Sequence, residues 1–377
     1  MDNIAYKQDL EYLYSKLIKH PIFCINKEEL SKFESLYRTA IDKQNGFTDF
    51  IDAMTLLTVF FNDGHTNIEL PYTTLDKCLN ISCHWCGDNL LLSQNYEDIE
   101  SGSEIISIEN KTIKDIIALM SNRISHENIY LVKSRMINYP YKNYHIFSEM
   151  NLKALFGNKD SFEICFSSKE KLIKKNCVLK NYNTFLDFKD NYDFIFYEIA
   201  DETAILHINS CICNETYKAV LNELADICDK KKIKTLILDL SKNMGGSSAV
   251  IDEFIKYVNI DEYKRYEIID YTQGTAKYIT RRTDIVKNSK SAKRFHTDIY
   301  CRVSHDTFSS ARTFAVTLAD NGIAKIIGTP TGGKPNSFGM PQKYKTPNNH
   351  IAFRVSRALF LRPDSAGDNA VSLFPTV

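Results

Sequence analysis

Lys234-Thr235-Leu236-Ile237-Leu238-Asp239-Leu240-Ser241-Lys242-Asn243-Met244-Gly245-Gly246 reads as a buried strand running into a double-glycine turn. The apolar run is continuous rather than alternating, as in a strand covered on both faces. A helix follows, with Val250, Ile251, Phe254, Ile255 and Val258 along one side. Upstream, Thr203-Ala204-Ile205-Leu206-His207-Ile208 is another strand, and Tyr217, Val220, Leu221, Leu224 and Cys228 line a second helix. Such alternation predicts an α/β fold with parallel strands and helical crossovers. Two glycines between strand and helix leave backbone N–H groups bare, which suits a developing oxyanion. Taken alone, the same turn also serves as an ordinary strand-to-helix connection.

A second segment adds chemistry. Ser309 stands in Asp306-Thr307-Phe308-Ser309-Ser310-Ala311, upstream of Lys334 in Thr331-Gly332-Gly333-Lys334-Pro335-Asn336. A hydroxyl becomes a nucleophile when a neighbouring base takes its proton, and a lysine is such a base where burial disfavours its charge. Between the two, Thr307 is expected to cap a helix whose inner face is Ala311, Phe314, Ala315 and Leu318. Asp320-Asn321-Gly322 is its stop signal, and residues 324–328 form a short strand. Ser309 is thereby placed at a helix N-terminus, where free N–H groups favour negative charge.

In combination these stretches resemble a known family. Asp-Leu-x-x-Asn-x-Gly-Gly after a strand, then Thr-Phe-Ser-Ser-Ala, then Asp-Asn-Gly-x-Ala-x-Ile-Ile-Gly-x-Pro-Thr-Gly-Gly-Lys-Pro-Asn-Ser-Phe-Gly is similar to the C-terminal-processing and tricorn-like serine peptidases, which also include the interphotoreceptor retinoid-binding proteins. The resemblance covers residues 194–339, and Asp63-Gly64-His65-Thr66 extends it upstream. It implies a crotonase/ClpP-like superhelical catalytic core, with a PDZ-like insertion or neighbour. It also implies Ser309 as nucleophile, and an oxyanion hole from the N–H of Ser310 and that of Gly245 or Gly246.

The departures leave the general base open. Arg312 stands where the processing peptidases usually carry glutamate, and Phe338 where they often carry the glutamine that orients the lysine. The tricorn-like branch uses an upstream histidine instead, and this chain has both His65 and Lys334. His65 reads either as a turn histidine bonded to backbone or as a base near its working range at neutral pH. Asp63 adjoins it, though neighbours on a tight turn seldom face each other. Asp364 and Asp368 are later carboxylates for the same orienting role.

Composition sets the bounds. The chain has 377 residues, enough for a large core and two or three domains. Lys and Arg total 47 and Asp and Glu total 47, so neither a nucleic acid nor an anionic membrane is indicated as partner. The start, Met1-Asp2-Asn3-Ile4-Ala5-Tyr6-Lys7, lacks the basic and apolar regions of a signal peptide. A cytoplasmic location is expected, or an exported one if a leader has been removed. Ten cysteines fit a reducing compartment. Cys83-His84-Trp85-Cys86 with Cys78 has awkward zinc spacing, and Cys211-x-Cys213 reads as alternation along a strand. No metal or cofactor is expected.

The front, residues 1–70, reads as a helical bundle. Leu10, Leu13, Tyr14, Leu17 and Ile18 form one face, His20-Pro21 a stop, Asn26 with Glu29 a capping box, and a third helix starts near Thr48. Residues 71–190 read as a β-rich, PDZ-like or structural middle segment. It holds a strand, turn and helix across 101–120, a connecting segment over 132–153, a hairpin over 162–178 and a linker over 180–191. Residues 191–377 are the catalytic core, with a basic excursion over 263–294.

These readings converge on a serine endopeptidase acting on peptides or unfolded protein segments, with Ser309 as nucleophile and Lys334 or His65 as base. The alternatives are a non-catalytic ligand- or peptide-binding protein on the same scaffold, and a CoA-ester enzyme on a crotonase-like core.

Overall fold

The computed structural model describes residues 3–138, 141–182 and 193–377. Contacts divide the chain into two units. One comprises residues 1–18, 28–190 and 342–355, the other 19–27, 191–341 and 356–377.

The α/β expectation is met in the second unit. Its centre is a five-stranded sheet in the order Ile195–Ala200, Thr203–Ile208, Thr235–Asp239, Asp298–Val303, Lys325–Gly328. The first pair is antiparallel and the rest are parallel. Helices Glu215–Lys231, Ala249–Ile255 and Ser310–Asp320 lie between consecutive parallel strands in the chain. Leu206, Ile208, Leu236 and Leu238 on the sheet, with Leu221, Leu224, Phe254, Phe314 and Leu318 on the helices, are fully buried in one cluster. Each such side chain contributes about 1.5–3 kcal/mol relative to exposure. Asn214 starts the first helix by accepting from Tyr217 N, and Lys232 ends it in the left-handed region.

Parallel register places His207 and Arg302 on either side of Asp239, at the carboxyl end of the sheet. There the chain turns into Ser241–Gly246. A four-stranded antiparallel sheet, Lys277–Thr280, Glu267–Asp270, Ala358–Leu361, Ser337–Gly339, carries the segment that follows Lys334. The basic excursion is largely neutralised. Arg282 pairs with Asp368, Lys290 with Asp261 and Lys293 with Asp226, and Arg281 lies 3.7 Å over the Tyr278 ring.

The first unit contains helices Asn3–Leu17, Glu28–Asp42 and Phe47–Val59, then a sheet in the order Cys83–Cys86, Asn89–Leu92, Glu104–Ile108, Ser161–Ser168, Lys171–Val178. The strand–turn–helix expected over 101–120 is present. Glu109 and Asn110 take positive φ in the turn, and Thr112 with Asp115 forms a capping box for Ile113–Ser121. The hairpin over 162–178 is present too, turning at Lys169 and Glu170.

Four local expectations are corrected. Residues 132–153 are not a plain connector, since Ile129–Asn138 and Glu149–Phe156 are helices, the second capped by Ser148. Cys211 and Cys213 lie beyond the strand Thr203–Ile208, so strand alternation does not place them. The second long helix begins at Glu28, two residues past Asn26, so the Asn26–Glu29 box does not start it. Thr307 does not cap Ser310–Asp320; its hydroxyl donates to the Leu240 carbonyl instead. Most of the expected linker, residues 183–191, lies outside the described residues.

Candidate active site

Ser309 immediately precedes the helix Ser310–Asp320 and adopts φ 53°, ψ −128°. For a residue with a Cβ this is a sparsely populated region, and such strain persists only where the surroundings over-determine it. Here they do. Phe308 N donates to Asn243 O (3.1 Å), and Ser304 and Thr307 hydroxyls donate to the carbonyls of Ser241 and Leu240. The Ser309 carbonyl then accepts from Thr313 N at 3.0 Å, so the helix starts directly behind it. The side chain is carried on a sharp elbow between strand Asp298–Val303 and the helix.

The glycine turn lies against that elbow. A Cβ on Gly245 (φ 111°) would fall 2.6 Å from Ser309 Cβ and 3.1 Å from both Ser309 Oγ and Ser310 N. On Gly246 (φ 138°) it would fall 2.4 Å from the Cys211 carbonyl. Both positions therefore need glycine for close approach as well as for backbone angle. Ser310 Oγ donates to Gly246 O at 2.7 Å and lies 3.1 Å from Ser248 Oγ, which ties helix to turn. Of the six candidates, Ser309, Ser310, Gly245 and Gly246 are thus brought together.

Asn243, buried, organises the turn and was not singled out from sequence. Its Oδ1 accepts from Gly245 N (2.8 Å), its Nδ2 donates to Ile208 O (2.8 Å), and its own carbonyl holds Phe308 N. The available signal was Asn two residues before glycine, an Asx-turn pattern. One consequence is chemical: the Gly245 N–H is committed to Asn243. Among the described residues, neither Gly246 N–H nor Ser310 N–H donates a hydrogen bond. Asp239 braces the start of the turn, accepting from Ser241 N at 2.9 Å and from Arg302 at 3.1 Å, with His207 Nδ1 at 3.4 Å. Cys211 packs beside it; burial pushes that thiol up to about 12, so it behaves as a small apolar group.

Lys334 is exposed on its turn, so the burial that would make a lysine a ready base is absent. The later carboxylates have structural bonds. Asp364 caps the short helical turn Ser365–Gly367, and Asp368 holds Arg282 and Asn336. Arg312 is buried and donates to Ser337 Oγ at 2.6 Å, so the guanidinium links the helix after Ser309 to strand Ser337–Gly339.

His65 belongs to the first unit. Asp63 Oδ1 accepts from His65 N at 2.9 Å and lies 3.7 Å from ring Nδ1, and Oδ2 accepts from Thr66 Oγ1 at 2.7 Å. The Asp63 carboxylate thus builds the turn and still approaches the ring, although the two residues share one tight turn. The Gly64 carbonyl accepts from Asn67 Nδ2 (2.9 Å) and Arg135 Nη2 (2.6 Å).

Residues 202–370 match the family model of peptidase family S41. The structure is similar to that of mature CPAF, with TM-score 0.72 and 13% identity over 99% of this chain and 92% of that one. It is also similar to mature CPAF complexed with lactacystin, with TM-score 0.69 and 12% identity over 99% and 93%. A protein from Parabacteroides merdae matches with TM-score 0.51 and 13% identity over 98% and 88%. At these identities the likeness concerns the fold. No helix among the described residues is long and apolar enough to cross a membrane.

Proposed function

We propose that the chain is a serine peptidase of the S41 type, the family whose model residues 202–370 match, and that it hydrolyses peptide bonds through an acyl-enzyme on Ser309. The observation that carries this is the strained Ser309 elbow pressed against Gly245. In the proposed reaction Ser309 Oγ attacks the scissile carbonyl while its proton passes to the base. The carbonyl oxygen, now negative, is held by the N–H groups of Ser310 and Gly246, each worth ~3 kcal/mol in the transition state. Gly246 is preferred over Gly245 because the latter's N–H already serves Asn243. The proton then goes to the leaving amine, and water repeats the sequence to free the enzyme.

His65 is the base we favour, because its turn is fixed by Asp63 and Arg135 whereas Lys334 is exposed. Substrates are peptides or unfolded protein segments. Residues 191–377 are the proposed catalytic core.

A fluorophosphonate probe tests the reading. Wild-type protein is labelled and Ser309→Ala is not; unlabelled wild type that unfolds cooperatively defeats it. That outcome favours the second reading, a ligand-binding protein without catalysis, to which the buried Arg312 in place of a family glutamate points.

A further inference from the structure

Within the first unit, Phe47, Ile51, Met150 and Ala154 line a cavity of about 580 Å³ built on helices Phe47–Val59 and Glu149–Phe156. That volume lies in the range that takes a small organic molecule. Phe47 keeps 45% of its surface exposed, so its ring offers apolar area to a ligand.

The rest of the lining is polar or charged, and its ion pairs leave one cation over. Asp52 holds Arg123 (2.9 Å), Asp76 holds Lys142 (2.6 Å) and Glu149 holds Lys153 (2.8 Å). Lys77, half-buried on the strand Lys77–Cys78, lines the same cavity and has no carboxylate partner among the described residues. Arg123 spends Nε on Asn151 Oδ1 (3.1 Å) and Nη2 on Asp52, so its Nη1 donates to no described residue.

We propose that this cavity binds a small monocarboxylic acid with an apolar body. The carboxylate takes the Lys77 ammonium and Arg123 Nη1, and the hydrocarbon lies against Phe47, Ile51, Met150 and Ala154. An incoming cation would find every lining carboxylate already matched. A neutral apolar molecule would screen Lys77 from water without giving it a counter-charge. A single negative charge on a hydrocarbon answers both. The site uses none of the residues assigned to peptide hydrolysis, so it stands or falls apart from that reading.

Octanoate, butanoate and octan-1-ol are titrated into the full chain by calorimetry, with Lys77→Met and Ala154→Trp beside wild type. Each buried methylene is worth about fourfold in affinity, so octanoate is expected to bind ~100-fold more tightly than butanoate. Octan-1-ol, which lacks the charge-assisted bonds, is expected to bind ~10-fold more weakly than octanoate. Lys77→Met should bring octanoate down to the level of the alcohol. Ala154→Trp, at an exposed position, should fill the cavity and abolish octanoate binding. N-acetyl-leucyl-leucine presents the same chemistry as a peptide end and is expected to bind more weakly, because its amides also need partners. Tighter binding of that peptide would assign the site to chain ends and overturn the small-acid reading. No heat from octanoate at millimolar concentration, or equal affinity for octanoate and octan-1-ol, overturns it as well. So does wild-type octanoate affinity in either variant with an unchanged thermal transition.

Discussion

Gly245 and Ser309 touch so closely that a methyl group on the first would sit 2.6 Å from the Cβ of the second. Gly245→Ala is therefore expected to displace the nucleophile. With φ at 111° the alanine is also strained in place. Fluorophosphonate labelling should fall at least ~100-fold, since small misplacements at a reacting centre have costs of that order. Near-normal labelling would mean that the glycine turn does not position Ser309.

Asn243→Ala should destabilise the protein by about 3 kcal/mol. It strips partners from Gly245 N and Ile208 O, and an unsatisfied buried group costs about 1–3 kcal/mol. Labelling should fall as well, because the freed Gly245 N–H no longer fixes the turn. A denaturation midpoint equal to wild type would reject Asn243 as organiser.

The two candidate bases separate in a pair of variants. Lys334→Met should label within about threefold of wild type, because the side chain is exposed on its turn. His65→Ala should lose ~1,000-fold, the scale of a lost general base. The reverse ranking would restore Lys334.

Arg282 hydrogen-bonds the carboxylate of Asp368 and holds its pKa below the usual carboxylate value. A depressed folded pKa gives stability that is full above the unfolded value, near ~3.9, and is lost as pH falls through the folded one. Asp368→Asn should thus melt slightly lower than wild type at pH 7, by no more than about 1 kcal/mol for a part-exposed pair. The difference should shrink as pH falls below the unfolded value and through the lowered folded one. A constant offset across that range would show that charge is not the cause.

How much was legible in the sequence follows from how local each signal is. Thr235–Asp239, Ser310–Asp320 and the helix opened by the Thr112 capping box announce themselves by apolar runs and caps. Ser309, Ser310, Gly245 and Gly246 were legible as a set because strand–turn–helix grammar delivers both turns to the same end of one parallel sheet. Thr307 was misjudged because a tertiary bond to Leu240 outcompetes a local cap. Lys334 was attractive on spacing, but spacing carries no information about burial. The gathering of Asp63, His65 and Glu127 within 4.8 Å had no sequence signal, since it joins two loops distant in sequence that Arg135 bridges.

The strand Ala352–Val355 pairs with Asn67–Glu69, two residues beyond His65, while Asp9 on the first helix grips Asn348 and Asn349 in the loop preceding that strand. A ribosome must therefore translate through residue 355 before the first unit can close. A nascent chain halted at residue 341 would already contain Ser309, Gly245 and His65 yet lack the partner of Asn67–Glu69. The expected outcome of that order is a serine that gains reactivity only after residues 342–355 have been made. It is checked by stalling translation at residue 341 and asking whether the stalled chain reacts with the serine probe.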